Sequence, residues 1–241
     1  LNAGLGKMMI SEMKITETLN ASIDGFMAHC SFFSLWKPGA VTPEMSKKFL
    51  TTFDSLVKSF PALIAAGTAR VPDEAARVVL AVNLYQECGE GDLSRTHHAI
   101  YRKFLLTAGV AAAAEENPFA VQWRAALLDY ILKTENIGSA LGALAAGEFL
   151  AQPALTQIYA VIQGHFPKAD QEYFTKHLTL ETEHVREMTA LLARQAKSDQ
   201  QWEKVKEGFL FGLSVWGNYF DALRDFVSQT PAAASPGSIR A

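Results

Sequence analysis

Residues 177–184 read HLTLETEH. At about 100° per residue, helix positions i, i+4 and i+7 fall within about 60° of one another, so His177, Glu181 and His184 share one stripe. Phe174, Leu178, Val185, Met188 and Leu192 lie on or beside that stripe, which predicts that it is buried. Glu183 falls far round the helix and is expected in solvent. Two imidazoles and a carboxylate on a buried face require partners, and as a ligand set they suit iron, manganese or zinc. The competing reading is a solvated face on which two histidines happen to align.

Two further groups offer matching ligands. In QECGEGDLSRTHHAIYRKF, Glu87 ends a helical pattern, Glu90 and Asp92 sit in a glycine-rich turn, and His97 and His98 open the next helix. A helical hairpin at this turn would bring one of the carboxylates to one of the histidines; otherwise these are cap and surface residues. Glu148 ends a stretch, Asn136–Gly147, that carries no charge. A carboxylate there is costly to bury alone, so it faces solvent, pairs with a base such as Arg124, or binds a metal. Together the clusters supply the donors of a carboxylate-bridged two-metal site in a helical bundle. Only one Glu-x-x-His motif, Glu181 to His184, is present in them, which is not the ferritin-like pattern.

The elements that must position these residues read as helices throughout. Strand alternation is absent, and the one Asp-Gly pair, Asp24–Gly25, lacks hairpin flanks. Thr42–Pro43 is an N-cap with proline at N1, opening a helix that Pro61 is expected to kink or interrupt. Pro72 and Pro118 open two more; Gly89 and Gly109 close two. IGSALGALAAGEFLAQ is expected to stop at Pro153, with ALTQIYAVIQGHF as a separate helix. Residues 169–196 and 199–227 are expected to form long amphipathic helices. This predicts a single all-α domain of about seven to nine helices, over residues 14–228. Residues 1–13 are expected to be a flexible N-terminal segment and 229–241 a disordered tail. Met8, Met9 and Met13 are each plausible start positions in a chain that opens on Leu1.

Composition narrows the function classes. Hydrophobic residues make up 49% of the 241, enough for a large core. A net charge of -3 offers no footprint for nucleic acid and no basic anchor for a membrane. No apolar run approaches the roughly 18 residues of a spanning helix. Cys30 and Cys88 cannot make a disulfide framework, and a reducing cytoplasm is expected.

The ordered set Glu87, His97, Glu148 within an apolar helix, and then HLTLETEH, resembles the heme-oxygenase-like diiron oxidases and oxygenases. The resemblance spans about residues 15–228. It implies a seven-helix bundle shared with heme oxygenase, the thiaminase TenA and the pyrroloquinoline quinone synthase PqqC. It implies Glu87, His97, Glu148, His177, Glu181 and His184 as ligands of two Fe ions, with Mn/Fe as the alternative, and O2 as co-substrate. Phe104, seven residues after His97, is the aromatic that favours His97 over His98; Glu87 is favoured over Glu90 because it follows VNLY within the helix. The implied activity is iron-dependent oxidation of a small amino-acid- or fatty-acid-derived molecule by N-oxygenation, decarboxylation or C–C cleavage. Expected partners are that substrate, an external electron donor and, as one option, a second copy of the chain.

Departures from relatives narrow the chemistry. Glu181 stands where Asp is frequent. Phe33 and Ile158 stand where the chlamydial protein associating with death domains has the tyrosine and lysine it sacrifices, which argues against self-sacrificing chemistry. Two other readings compete: heme ligation by His29, and a metal-free TenA- or PqqC-like enzyme, its nucleophile Cys88. A helical interaction protein with a degenerate site is a third.

Overall fold

In the computed structural model, which describes residues 10–229, side-chain caps set where most helices begin. Ser11, Thr42, Asp73, Thr96, Asn117, Asn136 and Ser198 each accept a bond from a first-turn backbone N–H, satisfying donors that a helix leaves open. The helices so begun are α1 (Glu12–His29), α3 (Pro43–Arg70), α4 (Glu74–Glu87), α5 (His97–Ala108), α6 (Pro118–Lys133), α7 (Ile137–His165) and α9 (Asp199–Ser228). A short α2 (Ser31–Leu35) and a long α8 (Glu172–Gln195) lack a side-chain cap. Two 3-10 turns, Gly89–Gly91 and Leu93–Arg95, join α4 to α5, and no strand occurs among the described residues. Of the expected flexible segments 1–13 and 229–241, residues 1–9 and 230–241 lie outside the described residues; α1 begins at Glu12, inside the first of them.

Neither proline interrupts its helix. Pro61 lies within an uninterrupted α3, and Pro153 within an uninterrupted α7, so the two helices expected on either side of Pro153 are one. A mid-helix proline costs about 3 kcal/mol. Burial on both sides outweighs it: Gly138–Leu150 is buried at every position, as are Ala154, Leu155, Ile158, Val161 and Ile162 beyond the proline.

Helix α7 is the axis of the bundle. It packs on α9, α8, α3, α6 and α1. Its contact with α9 is backbone to backbone. A Cβ on Gly208 would lie 1.9 Å from the Ser139 carbonyl oxygen, and one on Gly142 would lie 2.2 Å from that of Val205. Helix α3 has the length and composition of a membrane-crossing segment, which qualifies the sequence expectation, but 67% of that window is buried inside the fold. Its apolar face is core, packed on α4, α5, α6 and α7.

Candidate metal centre

Two helix ends and the second turn of a third helix meet where the sequence grouped its ligands. Glu87 is the last residue of α4 and His97 the first of α5, so the two 3-10 turns act as the hairpin that returns one to the other. The turn needs glycine at its start: Gly89 has φ +71°, and a Cβ there would sit 2.5 Å from the Thr96 amide nitrogen. Helix α8 brings His177 in from the opposite side. Glu87, His97 and His177 are all buried, and one donor atom from each lies within 4.8 Å of the other two. The His97 and His177 rings are 4.4 Å apart at 63°.

Glu148 and His184 stand beside this trio. His184 Nδ1 is 3.5 Å from Glu148 Oε2. Both residues are buried, at 2% and 3% exposure. The other Glu148 oxygen, Oε1, accepts a 3.1 Å hydrogen bond from Asn83 Nδ2. Arg124, the basic partner considered for Glu148, is instead held by Glu116 and Ser59. Glu181 belongs to α8, but its side chain lies outside the described residues.

The rejected neighbours point elsewhere. Glu90 is exposed and pairs with Arg95 at 3.3 Å. Asp92 caps Ser94. His98 Nε2 is 3.0 Å from the buried carboxylate of Asp54, outside the site. Glu183 is exposed and bonded to Arg186, as the helix geometry requires. His29 is exposed, its Nδ1 bonded to the Gly25 carbonyl at 2.7 Å, and Cys88 is exposed. Neither lines the cavity described below.

Hydrogen bonds fix the ring states. His177 Nδ1 donates to the Tyr173 carbonyl at 2.6 Å, which leaves the lone pair on Nε2. His184 Nε2 donates to Gln86 Oε1 at 3.1 Å. Asn83, Gln86 and Glu87 are thus one working face of α4. The sequence reading missed Asn83 and Gln86, although Asn83 stands four residues before Glu87 and three before Gln86, spacings that make it a helix-surface neighbour of both. His97 has no hydrogen bond at either ring nitrogen, although Nδ1 is 2.9 Å from Glu87 Oε1.

Burial sets the charges. It pushes the Glu87 carboxyl up to about 7, with nearby His177 opposing and Glu148 reinforcing that rise. It holds His97 down at about 3, helped by Lys176, and His177 down at about 4, helped by His97. The two imidazoles are therefore neutral at pH 7, the state in which imidazole ligates a metal. Buried polar atoms are ordinarily bonded. His97, whose ring nitrogens make no hydrogen bond and whose Nδ1 lies 2.9 Å from the Glu87 carboxylate, fits a divalent metal of the iron class together with the neutral imidazole of His177.

A cavity opens on these groups. Glu87, His97, Glu148 and His177 form its polar end, and Phe53, Leu56, Leu155, Ile158, Trp216 and Phe220 are among its apolar walls. Among the described residues, no Lys or Arg lines it.

The model of a family described as iron-containing redox enzymes matches residues 47–217. The chain belongs to that family. The match covers α3 from its first turns through most of α9 and so includes every candidate ligand. The fold is heme-oxygenase-like. A CADD-like protein of unknown function from Nostoc punctiforme superposes with a TM-score of 0.74 at 14% identity, over 89% of this chain and 99% of its own. A domain of unknown function with a heme oxygenase-like fold, from Shewanella denitrificans, gives 0.71 at 15% identity, over 90% and 94%. A TenA homolog from Pseudomonas syringae gives 0.63 at 11%, over 89% and 93%. No curated protein matches the chain by sequence.

Proposed function

We propose that this member of the iron-containing redox enzyme family is a non-heme diiron oxidase or oxygenase. Its substrate is a small, largely apolar molecule, fatty-acid-derived in preference to amino-acid-derived. The observation that carries this reading is the convergence of Glu87, His97 and His177, with Glu148 and His184 beside them, at the polar end of an apolar cavity.

Glu87, His97 and His177 would hold one ion; Glu148, His184 and, from the sequence, Glu181 would hold the second. Bound iron supplies the electrons and open coordination position for O2 chemistry. The chain's own groups do the rest. Tyr173 keeps the His177 proton on Nδ1, so that Nε2 faces the ligand cluster. Asn83 holds one Glu148 oxygen and leaves the other toward His184. The wall of Phe53, Leu56, Leu155, Ile158 and Phe220 excludes water and takes up an alkyl chain. Bound metals would hold the carboxylate of either substrate, but the ammonium of a free amino acid would meet only Glu87 and Glu148, already committed as ligands, and its desolvation is costly; a fatty acid carries no such group.

The fold likeness to a TenA homolog keeps a metal-free enzyme in view, but the exposed Cys88 counts against a cysteine nucleophile. Two unpaired cysteines suit a reducing compartment such as the cytoplasm. The test is a substrate panel on the Fe(II)-loaded protein mixed with O2: medium-chain fatty acids against free amino acids, with products read by mass spectrometry. Oxidised fatty-acid products are expected. Products from the amino acids alone would overturn the substrate assignment.

A further inference from the structure

Of the readily oxidised side chains in the cavity wall, Tyr173 packs between His177 and Tyr101, and Trp216 packs against a second indole. Trp216, on α9, lines the cavity together with Glu87, His97, Glu148 and His177. Its indole packs against that of Trp123 on α6, with ring centroids 4.8 Å apart at 60°. Trp123 in turn lines a second cleft, between α6 and α9, whose rim carries the exposed Gln122 and Asn218. Tyr219 touches both, with centroids 6.3 Å from Trp123 and 6.2 Å from Trp216. Two indoles in direct contact therefore join the metal cavity to a surface cleft.

The polar atoms of this group share an unusual property. Trp216 Nε1, Trp123 Nε1 and the Tyr219 hydroxyl are all buried, and none has a hydrogen-bond partner among the described residues. Such atoms are rare in folded proteins and call for an account. An oxidised phenol must pass its proton to a neighbour, and Tyr219 has none to receive it. An oxidised indole keeps its N–H proton when no acceptor is present, and so remains an oxidant strong enough to draw an electron from the next indole. The arrangement favours transfer between the two tryptophans and disfavours arrest at the tyrosine.

We propose that Trp216 and Trp123 form an electron conduit between the metal centre and the α6–α9 cleft, an inference that rests on the iron reading above. With iron bound and oxidised by O2 and no substrate present, the Trp216 ring would give up one electron to it. Trp216 takes one from Trp123. Trp123 is refilled at the cleft by an external one-electron donor of the thiol or ascorbate class, which is oxidised in turn. The conduit thus spares the ligands from the centre's unspent oxidising power. Without a donor, oxidised Trp123 loses a second electron to O2 and takes its oxygen from water with release of two protons. It then carries one added oxygen atom.

The chain supplies its own controls. Trp36 stacks in the core on Phe32, and Trp202 lies beneath Lys206, both outside the conduit. Met13 and Tyr85, 69% and 55% exposed, report oxidants that diffuse through solvent. The experiment loads the full chain with Fe(II), exposes it to limiting O2 without substrate, records iron uptake and oxidation, and maps added oxygen by peptide mass spectrometry. Ascorbate is the donor probe. The expected result is added oxygen on Trp123 and Trp216 but not on Trp36 or Trp202. Ascorbate should suppress it at least fivefold. In Trp216→Phe the mark on Trp123 should fall about tenfold, and in Trp123→Phe the mark on Trp216 should persist and rise. Iron oxidation with no mark on either residue overturns the conduit and leaves the iron reading standing. So does a Trp123 mark that is unchanged in Trp216→Phe while Trp123→Phe resembles the parent. Failure to take up iron overturns both.

Discussion

The rings of His97 and His177 stand 4.4 Å apart, centroid to centroid, although one opens α5 and the other lies well along the sequence in α8. Two protonated imidazoles could not share that space, and burial holds both neutral, at about 3 and about 4. Glu87 completes the trio with a carboxyl displaced the other way, to about 7. The site is thus assembled as a neutral or singly charged pocket that gains from an incoming cation.

Metal affinity should follow the Glu87 proton. Below pH 7 the metal-free site holds that proton, and a cation must displace it. The apparent association constant for Fe(II), or for Zn(II) as a redox-inert stand-in, should therefore fall about tenfold per pH unit between pH 7 and 5. It should level off above pH 7. Titration calorimetry in buffers of different ionisation enthalpy would count about one proton released at pH 6. A pH-independent constant would contradict the assignment.

Stability of the metal-free protein should show the opposite pull of the same groups. The His97 and His177 values lie below the free-histidine value of 6.5, so their contribution is full above pH 6.5 and is lost as pH falls toward 4 and 3. Glu87 is raised from 4.5, so its contribution is full below 4.5 and is lost as pH rises through about 7. Between pH 4.5 and 6.5 two histidines oppose one glutamate, and the net is a loss of stability on acidification. Urea midpoints of the metal-free protein should fall from pH 6.5 to 4.5, and those of His97→Ala should fall less.

Asn83 should matter to the metals more than to the fold. It is 4% exposed and donates to Glu148. Removing an outer hydrogen bond of this kind typically costs 10- to 100-fold in metal affinity. Asn83→Leu should show that loss by equilibrium dialysis, with helix content by circular dichroism unchanged. Retained affinity would mean that Glu148 needs no orienting partner.

The fold was legible in the sequence wherever a local signal decided it. Thr42–Pro43, Pro118 and Gly109 mark helix ends by cap and proline chemistry, and the i, i+4, i+7 stripe placed His177 and His184 inward. Pro61 and Pro153 misled because their local cost is overridden by burial, which the sequence does not display residue by residue. Asn83 and Gln86 were missed for a related reason. Amides are ordinary on helix surfaces, and only the fold brings Glu148 of α7 and His184 of α8 to these two as partners.

Two glycines test the axis of the bundle. Gly208 and Gly142 let α7 and α9 approach with backbone in contact. Gly208→Ala should destabilise by about 3 kcal/mol or more, at or beyond the upper end for overpacking, because the clash is with a carbonyl rather than a flexible side chain. Gly164→Ala, where a Cβ meets nothing, should be neutral or slightly stabilising. Thermal melts of the pair would separate close approach from helix propensity.

The most direct measurement is metal content per chain after anaerobic Fe(II) loading, followed by optical spectra on mixing with O2. Close to two irons, with a transient visible band, and a loss of at least one iron in His177→Ala, is the predicted result. A folded protein that takes up no iron, with His177→Ala behaving like the parent, would contradict the account.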